Sequence, residues 1–395
     1  MGLWVLLFII EIMKKKPPLK QRLKKTARKI HLFIGLVTGL IVFILALTGV
    51  CLSFQDEIRD FYADYKTVKK EAKPFLTASK VKEIAQGVFP NKAIHGSVFG
   101  RDTEAIEVIF YEAEPAFYRK VYLNPYSGAI LHIEDYLSGF LAFALQGHKT
   151  LWLPKSIGAV LVSYGTFLFL VVLISGIVLW WPKNRKHLKQ SLKIKWTKRT
   201  SLKKKIIQVH TVLGVYLCFF ALIIGITGSI IGLNWFYFIV FKTVGGTKAP
   251  QFIIPNNISK PTNISSKTIP LDQLIPRLQK DIPNYRNLEL HYPDSDSTAI
   301  YVEVGYTEGV YYNADYRFYD QYSLQKINPN SIYSVYGESD FADKTIRMAY
   351  DTHVGAIFGL FGKIIVFIAS FLISVLPITG VLIWWKRRKD KKQNK

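Results

Sequence analysis

The chain has 395 residues, of which 50% are hydrophobic and 20% charged, and a formal net charge of +24. Four apolar stretches reach the ~20 residues that a bilayer-crossing helix needs, and two polar segments of about 100 residues or more lie between them, so a single soluble domain and a pure membrane bundle are both excluded. The positive charge is confined to three short segments, which is the mark of membrane topology rather than of a nucleic-acid surface.

Taken in chain order, residues 1–29 form a basic N-terminal segment in which nine residues from Lys14 to Lys29 are Lys or Arg. Leu3–Ile10 is apolar but too short to span. It also lacks the basic flank and small-residue cleavage site of a signal peptide. Met13, followed by Lys14-Lys15-Lys16, reads as the more natural start, with residues 1–12 an upstream extension or a peripheral segment. The first span is expected over 30–54. In the outer segment 55–156, Lys80–Ala85 has helical apolar spacing behind a Ser79 cap. Strands are expected through Ile106, Val108 and Phe110 and over Phe117–Leu123, closing in a turn at Asn124-Pro125-Tyr126-Ser127-Gly128.

The second span is expected over 157–181. Loop 182–209 follows, with eleven basic residues and no acid from Lys183 to Lys205. The third span covers 210–235. The second outer segment, 236–358, is read as a helix at Leu271–Leu278, strands at Ala299–Val304 and Gly309–Asp315, and a turn at Asp320-Gln321-Tyr322-Ser323. The fourth span, 359–385, ends in a tail, 386–395, with seven basic residues.

The three basic segments hold 27 basic residues against two acids, Glu11 and Asp390, and the rest of the chain nets −1. An even number of spans separates those segments, so they share one side, and the positive-inside rule makes that side cytoplasmic. Both termini are then expected on the cytoplasmic side of the inner (cytoplasmic) membrane, and both large segments on its outer side. Cys51 and Cys218 fall within spans, so no disulfide framework is implied. Trp180-Trp181 and Trp384-Trp385 stand where the inner aromatic belt belongs.

Spans one and three carry the same pattern: His31, Gly35 and Thr48-Gly49 match His210, Gly214 and Thr227-Gly228 at identical intervals. Spans two and four match as well. His148 precedes Ser175-Gly176 and Trp180-Trp181, and His353 precedes Thr379-Gly380 and Trp384-Trp385, with histidine-to-glycine intervals of 28 and 27 residues. The turns at Asn124 and Asp320 correspond too. The expected fold is a mainly α membrane protein: four transmembrane helices in two parallel repeats, with two extracytoplasmic α+β domains.

Four of the eight histidines thus occupy matched positions. His31 and His210 belong near the cytoplasmic face, and His148 and His353 near the outer face. Two imidazoles facing across a bundle axis supply both axial ligands of a six-coordinate haem iron. Gly35 and Gly214, one turn beyond the inner histidines, would leave room for a flat macrocycle. Arg28, Lys29 and Lys149 are candidates to meet its propionates. The plainer alternative is a set of solvated histidines at helix ends, with the Gly-Thr pairs serving helix packing. Zinc, which wants four ligands, fits two histidines per face poorly. His95, His132, His187 and His291 are expected to be ordinary surface or loop residues.

Ile30-His31 with Leu47-Thr48-Gly49, His148-Lys149-Thr150-Leu151, Val209-His210-Thr211 with Thr227-Gly228, and His353 with Thr379-Gly380 and Trp384-Trp385 together resemble the PepSY-associated transmembrane-helix family. That family includes iron-regulated inner-membrane proteins and ferric-siderophore reductases, and the resemblance runs from about Lys29 to Arg388. It makes the outer segments PepSY-like domains, and the Asn124–Gly128 turn resembles the end of one. It implies two b-type haems on His31/His210 and His148/His353, and reduction of a ferric siderophore or other ferric chelate in the periplasm. Reduction releases iron because hard oxygen ligands grip Fe(III) better than Fe(II). After Trp385 comes only the short basic tail, without a flavin or nicotinamide fingerprint. The electron donor is therefore expected to be separate, either membrane quinol or a cytoplasmic reductase.

Two rival readings remain beside this haem-dependent chelate reductase. One is a non-enzymatic sensor or binding protein whose outer domains hold a partner. The other is a chelate transporter, which would call for broken helices and polar residues at mid-membrane. The outer tyrosines Tyr301, Tyr306, Tyr311, Tyr312, Tyr333 and Tyr336 either contact a chelate or pack a small sheet.

Overall fold

The computed structural model describes residues 18–182, 184–259 and 270–393. The segments Leu3–Ile10 and 1–12 lie outside the described residues. Four helices are long and apolar enough to cross a membrane: α1 (Leu19–Leu52), α5 (Lys155–Trp180), α7 (Leu202–Gly232) and α11 (Gly359–Gln393). Helix α1 begins well before the expected span. Nothing between Pro18 and Ile30 breaks a helix, and the Pro18 carbonyl accepts the N–H groups of Gln21 and Arg22. Around the bundle large apolar side chains point outward, Phe33 at 72% and Phe361 at 69% exposure, as lipid-facing surfaces require.

The chain divides into two compact units. The first comprises Met1–Leu47, Tyr164–Ile226 and Ala369–Lys395. Its core is a four-helix seam of Val42 and Ala46 from α1, Leu170 and Leu173 from α5, Leu217 and Ala221 from α7, and Ala369 and Ile373 from α11. Gly165 admits Ile41 closely, since a Cβ there would lie 3.0 Å from the Ile41 side chain. Small residues let helices in lipid approach and gain dispersion contacts.

The second unit comprises Thr48–Ser163 and Thr227–Ile368. It is built on one antiparallel sheet of eight strands in the order β4-β3-β2-β1-β5-β6-β7-β8. The first outer segment supplies β1 (Ile94–Phe99), β2 (Ile106–Glu112), β3 (Phe117–Leu123) and β4 (Ile130–Asp135). The second supplies β5 (Asn287–His291), β6 (Ile300–Gly305), β7 (Asp315–Tyr319) and β8 (Lys326–Ile327). The join is the β1–β5 pair, in which Ser97 faces Leu290 and Val98 faces Glu289. The outer segments therefore share a single sheet and the main core packed on it.

One face of that sheet is covered by two helices, α3 (Ala78–Val88) and α9 (Pro270–Asp281). Val81, Ala85, Leu274 and Leu278 pack there on Phe99, Val108, Phe110, Leu288, Leu290 and Val302, all at most 2% exposed. Alternation sends the intervening residues to the other face. The cap of α3 is Thr77, which accepts the Lys80 N–H, and not Ser79 as expected. Ser79 instead donates its hydroxyl to Asp272 at 2.6 Å and fastens α3 to α9.

The expected strand at Gly309–Asp315 is displaced. Strand β7 starts where that segment was to end, because Gly309 turns the chain at φ +65° and the N–H groups of Tyr311 and Tyr312 go to Asp351 (2.9 and 2.6 Å) rather than to a neighbouring strand. The two expected turns share one construction. Asn124 Oδ1 accepts the N–H of Tyr126 and Ser127, and Asp320 Oδ1 those of Tyr322 and Ser323.

Short helices complete this unit: α2 (Gln55–Phe61), α4 (Gly139–Thr150), α8 (Asn234–Thr243) and α10 (Phe341–Val354); α6 (Arg185–Ser191) belongs to the first unit. Helix α10 opens on a capping box of Asp340 and Asp343. It closes at Gly355 with φ +84°, where a Cβ would lie 2.5 Å from the Gly362 carbonyl. Only glycine permits that close turn into α11.

Candidate functional site: paired histidines in each unit

The four matched histidines form two pairs. In the first unit His31 of α1 and His210 of α7 have ring centres 6.3 Å apart, with planes at 87°. In the second unit His148 of α4 and His353 of α10 have ring centres 6.2 Å apart, at 63°. His148 and His353 sit on short helices before the spans, in the last turn of α4 and of α10. All four are half-buried.

Each ring is held through Nδ1 by a serine or threonine. His31 Nδ1 lies 3.0 Å from the Val172 carbonyl and 3.1 Å from Ser175 Oγ, both on α5. A carbonyl only accepts, so Nδ1 carries the proton and Nε2 keeps its lone pair. His210 Nδ1 lies 2.9 Å from Thr379 Oγ1 of α11. The Thr379 hydroxyl is turned toward the Val375 and Leu376 carbonyls, so it accepts from His210. In the other unit Thr48 Oγ1 is 3.0 Å from His148 Nδ1, and Thr227 Oγ1 is 3.1 Å from His353 Nδ1.

These hydroxyls are buried, at 6–8% exposure. They belong to the four Ser/Thr-Gly pairs of the spans, for which packing was the plainer reading. Where Gly176 and Gly380 lie against the rings, a Cβ would come within 3.3 Å of His31 Cε1 and 3.5 Å of His210 Cε1. At Ser175-Gly176 and Thr379-Gly380 the motif thus supplies both an acceptor and the clearance beside it. The sequence displayed the motif at matched positions but not the histidine each hydroxyl would meet.

The spacing has a chemical reading. Two imidazoles bonded to one metal at about 2 Å, with about 1 Å more from each nitrogen to its ring centre, have centres on the order of 6 Å apart. Both pairs have that separation. A metal-bound histidine is ordinarily fixed by a hydrogen bond at its other nitrogen, as each Nδ1 is here. Among the described residues neither pair gathers a third His, Cys, Asp or Glu ligand, which leaves zinc poorly served. Around Gly214 there is open space, whereas a Cβ at Gly35 would touch Val172 at 3.9 Å. Arg28, Lys29 and Lys149 are exposed.

The remaining histidines divide. His132 stacks on Tyr65 at 4.0 Å, and His187 bonds Asn184. His95 and His291, expected as surface or loop residues, lie on the adjacent central strands β1 and β5 and converge with Glu289.

The second unit also has an open pocket of about 550 Å³, lined by Tyr311, Tyr316, Tyr333, Tyr350, Asn234 and Arg347 among others. Four of its residues, Ile346, Arg347, Ala349 and Tyr350, come from α10, which also carries His353. Arg347 is buried beneath Tyr316 and Tyr336, 5.0 and 5.1 Å from their ring centres, and donates to the carbonyls of Ser334 and Ala314. Burial pulls its guanidinium below the ordinary value. Asp315 and Glu303 act on it electrostatically, but no carboxylate hydrogen-bonds it among the described residues, and its Nε has no hydrogen-bond partner. Nearby, burial together with Glu289 directly across the β5–β6 ladder pushes Glu303 up to about 7.

Four candidate spans together with an antiparallel sheet covered by helices on one face define a multi-pass membrane protein. Over residues 28–387 the chain matches the PepSY-associated TM region family, and it belongs to that family. No curated protein matches the chain.

Proposed function

We propose that the chain is an inner-membrane di-haem b electron-transfer protein that reduces a ferric siderophore or similar ferric chelate outside the membrane, for iron uptake. The observation that carries this reading is the pair of bis-imidazole sites, with ring centres 6.3 and 6.2 Å apart and each Nδ1 tied to a buried hydroxyl. A haem b bound there supplies a reversible one-electron Fe(III)/Fe(II) couple.

The protein's own part is to hold. Ser175, Thr379, Thr48 and Thr227 fix ring orientation, and at His31 the Val172 carbonyl fixes the tautomer, so that Nε2 is presented as the ligand. The matched halves read as a duplication, which accounts for one pair per unit. The basic segments 1–29, 182–209 and 386–395 support placing both termini in the cytoplasm and the sheet outside. Electrons then enter from quinol or a separate cytoplasmic reductase.

The tyrosine-lined pocket beside α10 is the place for the chelate. Arg347, buried and without a carboxylate hydrogen-bonded to it, favours an anionic ligand. One electron per Fe(III) yields Fe(II), which oxygen ligands hold weakly and release.

The test is single-turnover oxidation of the purified, dithionite-reduced protein by a ferric siderophore, with a ferrous-specific chromophore in solution. Oxidation of the protein should match appearance of the ferrous complex one electron to one iron. Reduced protein that stays reduced in the presence of several ferric chelates would overturn the proposed activity.

A further inference from the structure

A further cluster of potential metal ligands lies on the sheet and includes none of the four span-associated histidines. His95 of β1 and Glu289 and His291 of β5 bring one potential ligand atom each to within 4.8 Å of one another. The backbone is arranged to bring them together. In β5, Leu288 and Leu290 enter the core, so Glu289 and His291 project from the opposite face.

His95 would by strict alternation share the core face with Ser97 and Phe99. It does not, because β1 carries a bulge there: Ile94 pairs with Phe110 and Gly96 with Ile109, which leaves His95 as the extra residue. Bulges re-aim a side chain in this way. The His95 ring accordingly stands edge-on to His291, with ring centres 4.8 Å apart.

Gly96 supplies the space. A Cβ at that position would lie 3.3 Å from His291 Nδ1 and 3.4 Å from Glu289 Oε1. The His291 ring is stacked on Tyr301 at 4.4 Å, and its Nδ1–H donates to the His95 carbonyl at 2.9 Å. That bond commits the Nδ1 proton and turns Nε2 toward Glu289 Oε1, 3.3 Å away. A lone pair facing a carboxylate oxygen needs a cation between them, either a second proton or a metal ion. For a metal with bonds of about 2 Å in a tetrahedral site, two ligand atoms stand roughly 3.3 Å apart. The Glu289–His291 pair already has that edge length, and the exposed His95 brings a third ligand atom to within 4.8 Å of both.

We propose that His95, Glu289 and His291 bind one divalent first-row transition ion, of the class of Zn²⁺ or Fe²⁺. Two imidazoles and one carboxylate with open positions are the donor set such ions take. Magnesium and calcium prefer all-oxygen shells and are poorly served by it. The open positions leave room for water or an external ligand.

The experiment is Co²⁺ titration of the full-length, detergent-purified protein after chelator treatment, read by visible d–d absorption and competed with Zn²⁺. One equivalent should bind in the wild type and be displaced by Zn²⁺. Affinity should fall by about tenfold or more in His95→Ala and in Glu289→Gln. Gly96→Ala, which keeps all three ligands but fills their clearance, should weaken binding as well. His132→Ala, outside both the cluster and the histidine pairs, should retain the full signal.

His95 is exposed, so loss of binding in His95→Ala with an unchanged melting temperature cannot be put down to unfolding. The proposal is overturned if no Co²⁺ bands appear, or if they survive in both His95→Ala and Glu289→Gln. Bands lost in His148→Ala while persisting in His95→Ala would equally overturn it, by placing the ion on the other histidines.

Discussion

The hydroxyl of Thr48, in the last turns of α1, lies 3.0 Å from Nδ1 of His148, one hundred residues further along the chain. The same relation recurs between Thr227 and His353 at 3.1 Å. In both cases a span end holds the histidine of a short helix, which ties the orientation of the ring to the span rather than to its own helix.

Removing that hydroxyl while keeping the side-chain volume should therefore loosen the ring without emptying the core. In Thr48→Val or Thr227→Val, haem affinity at the His148/His353 pair should fall on the order of 10- to 100-fold. The His31/His210 pair should keep its haem. Haem-to-protein ratio after a fixed wash, measured by pyridine haemochrome, checks this. Ser175→Ala and Thr379→Val should show the converse, although His31 keeps the Val172 carbonyl and should be the less affected.

Ligand removal is the harsher version. His31→Ala or His210→Ala should remove one of two haems, and His148→Ala or His353→Ala the other. His132→Ala, whose ring stacks on Tyr65, should keep both. Redox titration should then resolve one centre in each of the four variants and two in the control. Loss of both haems from every single variant, with the fold retained, would mean that the pairs are wrongly assigned.

Asp320 gives a stability prediction with a sign. Burial works against its charge, yet the N–H groups of Ser259, Ser323 and Tyr322 and the Ser323 hydroxyl hold its carboxyl well below the usual range. A carboxylate depressed in the folded state contributes its full stability above the unfolded value of about 3.9. That contribution is lost as pH falls below that value. Asp320→Asn should cost about 2 kcal/mol at neutral pH and much less in strong acid. Thermal melts across that range check it, and an equal deficit at every pH would count against the assignment.

The pocket prediction separates charge from packing. Arg347→Gln should raise KM for an anionic ferric chelate by about tenfold, in line with the loss of a charged hydrogen-bond donor. KM for a neutral chelate should change little. Since Arg347 also supports the Ser334 and Ala314 carbonyls, general collapse would raise both values together.

Much of this was legible before any coordinates. The four spans follow from hydropathy, and four of the histidines are singled out by matched spacing along the chain, because both signals can be read without knowing how the chain packs. The Asn124 and Asp320 turns were legible for the same reason: an Asx side chain bonds its own backbone two and three residues on. What escaped depends on long-range pairing. Nothing near Ser97 announces Leu290 as its partner, so the fusion of the two outer segments into one sheet was not visible. The bulge that turns His95 toward Glu289 is equally silent, and His95 and His291 passed as ordinary residues. Thr48, Ser175, Thr227 and Thr379 were seen as a motif, but which ring each meets depends on how the helices pack.

The most direct measurement is the reduced-minus-oxidised absorbance spectrum of the purified protein, made with adequate haem supply and paired with a haem count. The expected result is sharp α and Soret bands of six-coordinate b-type haem, at two haems per chain. A featureless difference spectrum would contradict the bis-histidine haem sites and, with them, electron transfer through this membrane protein.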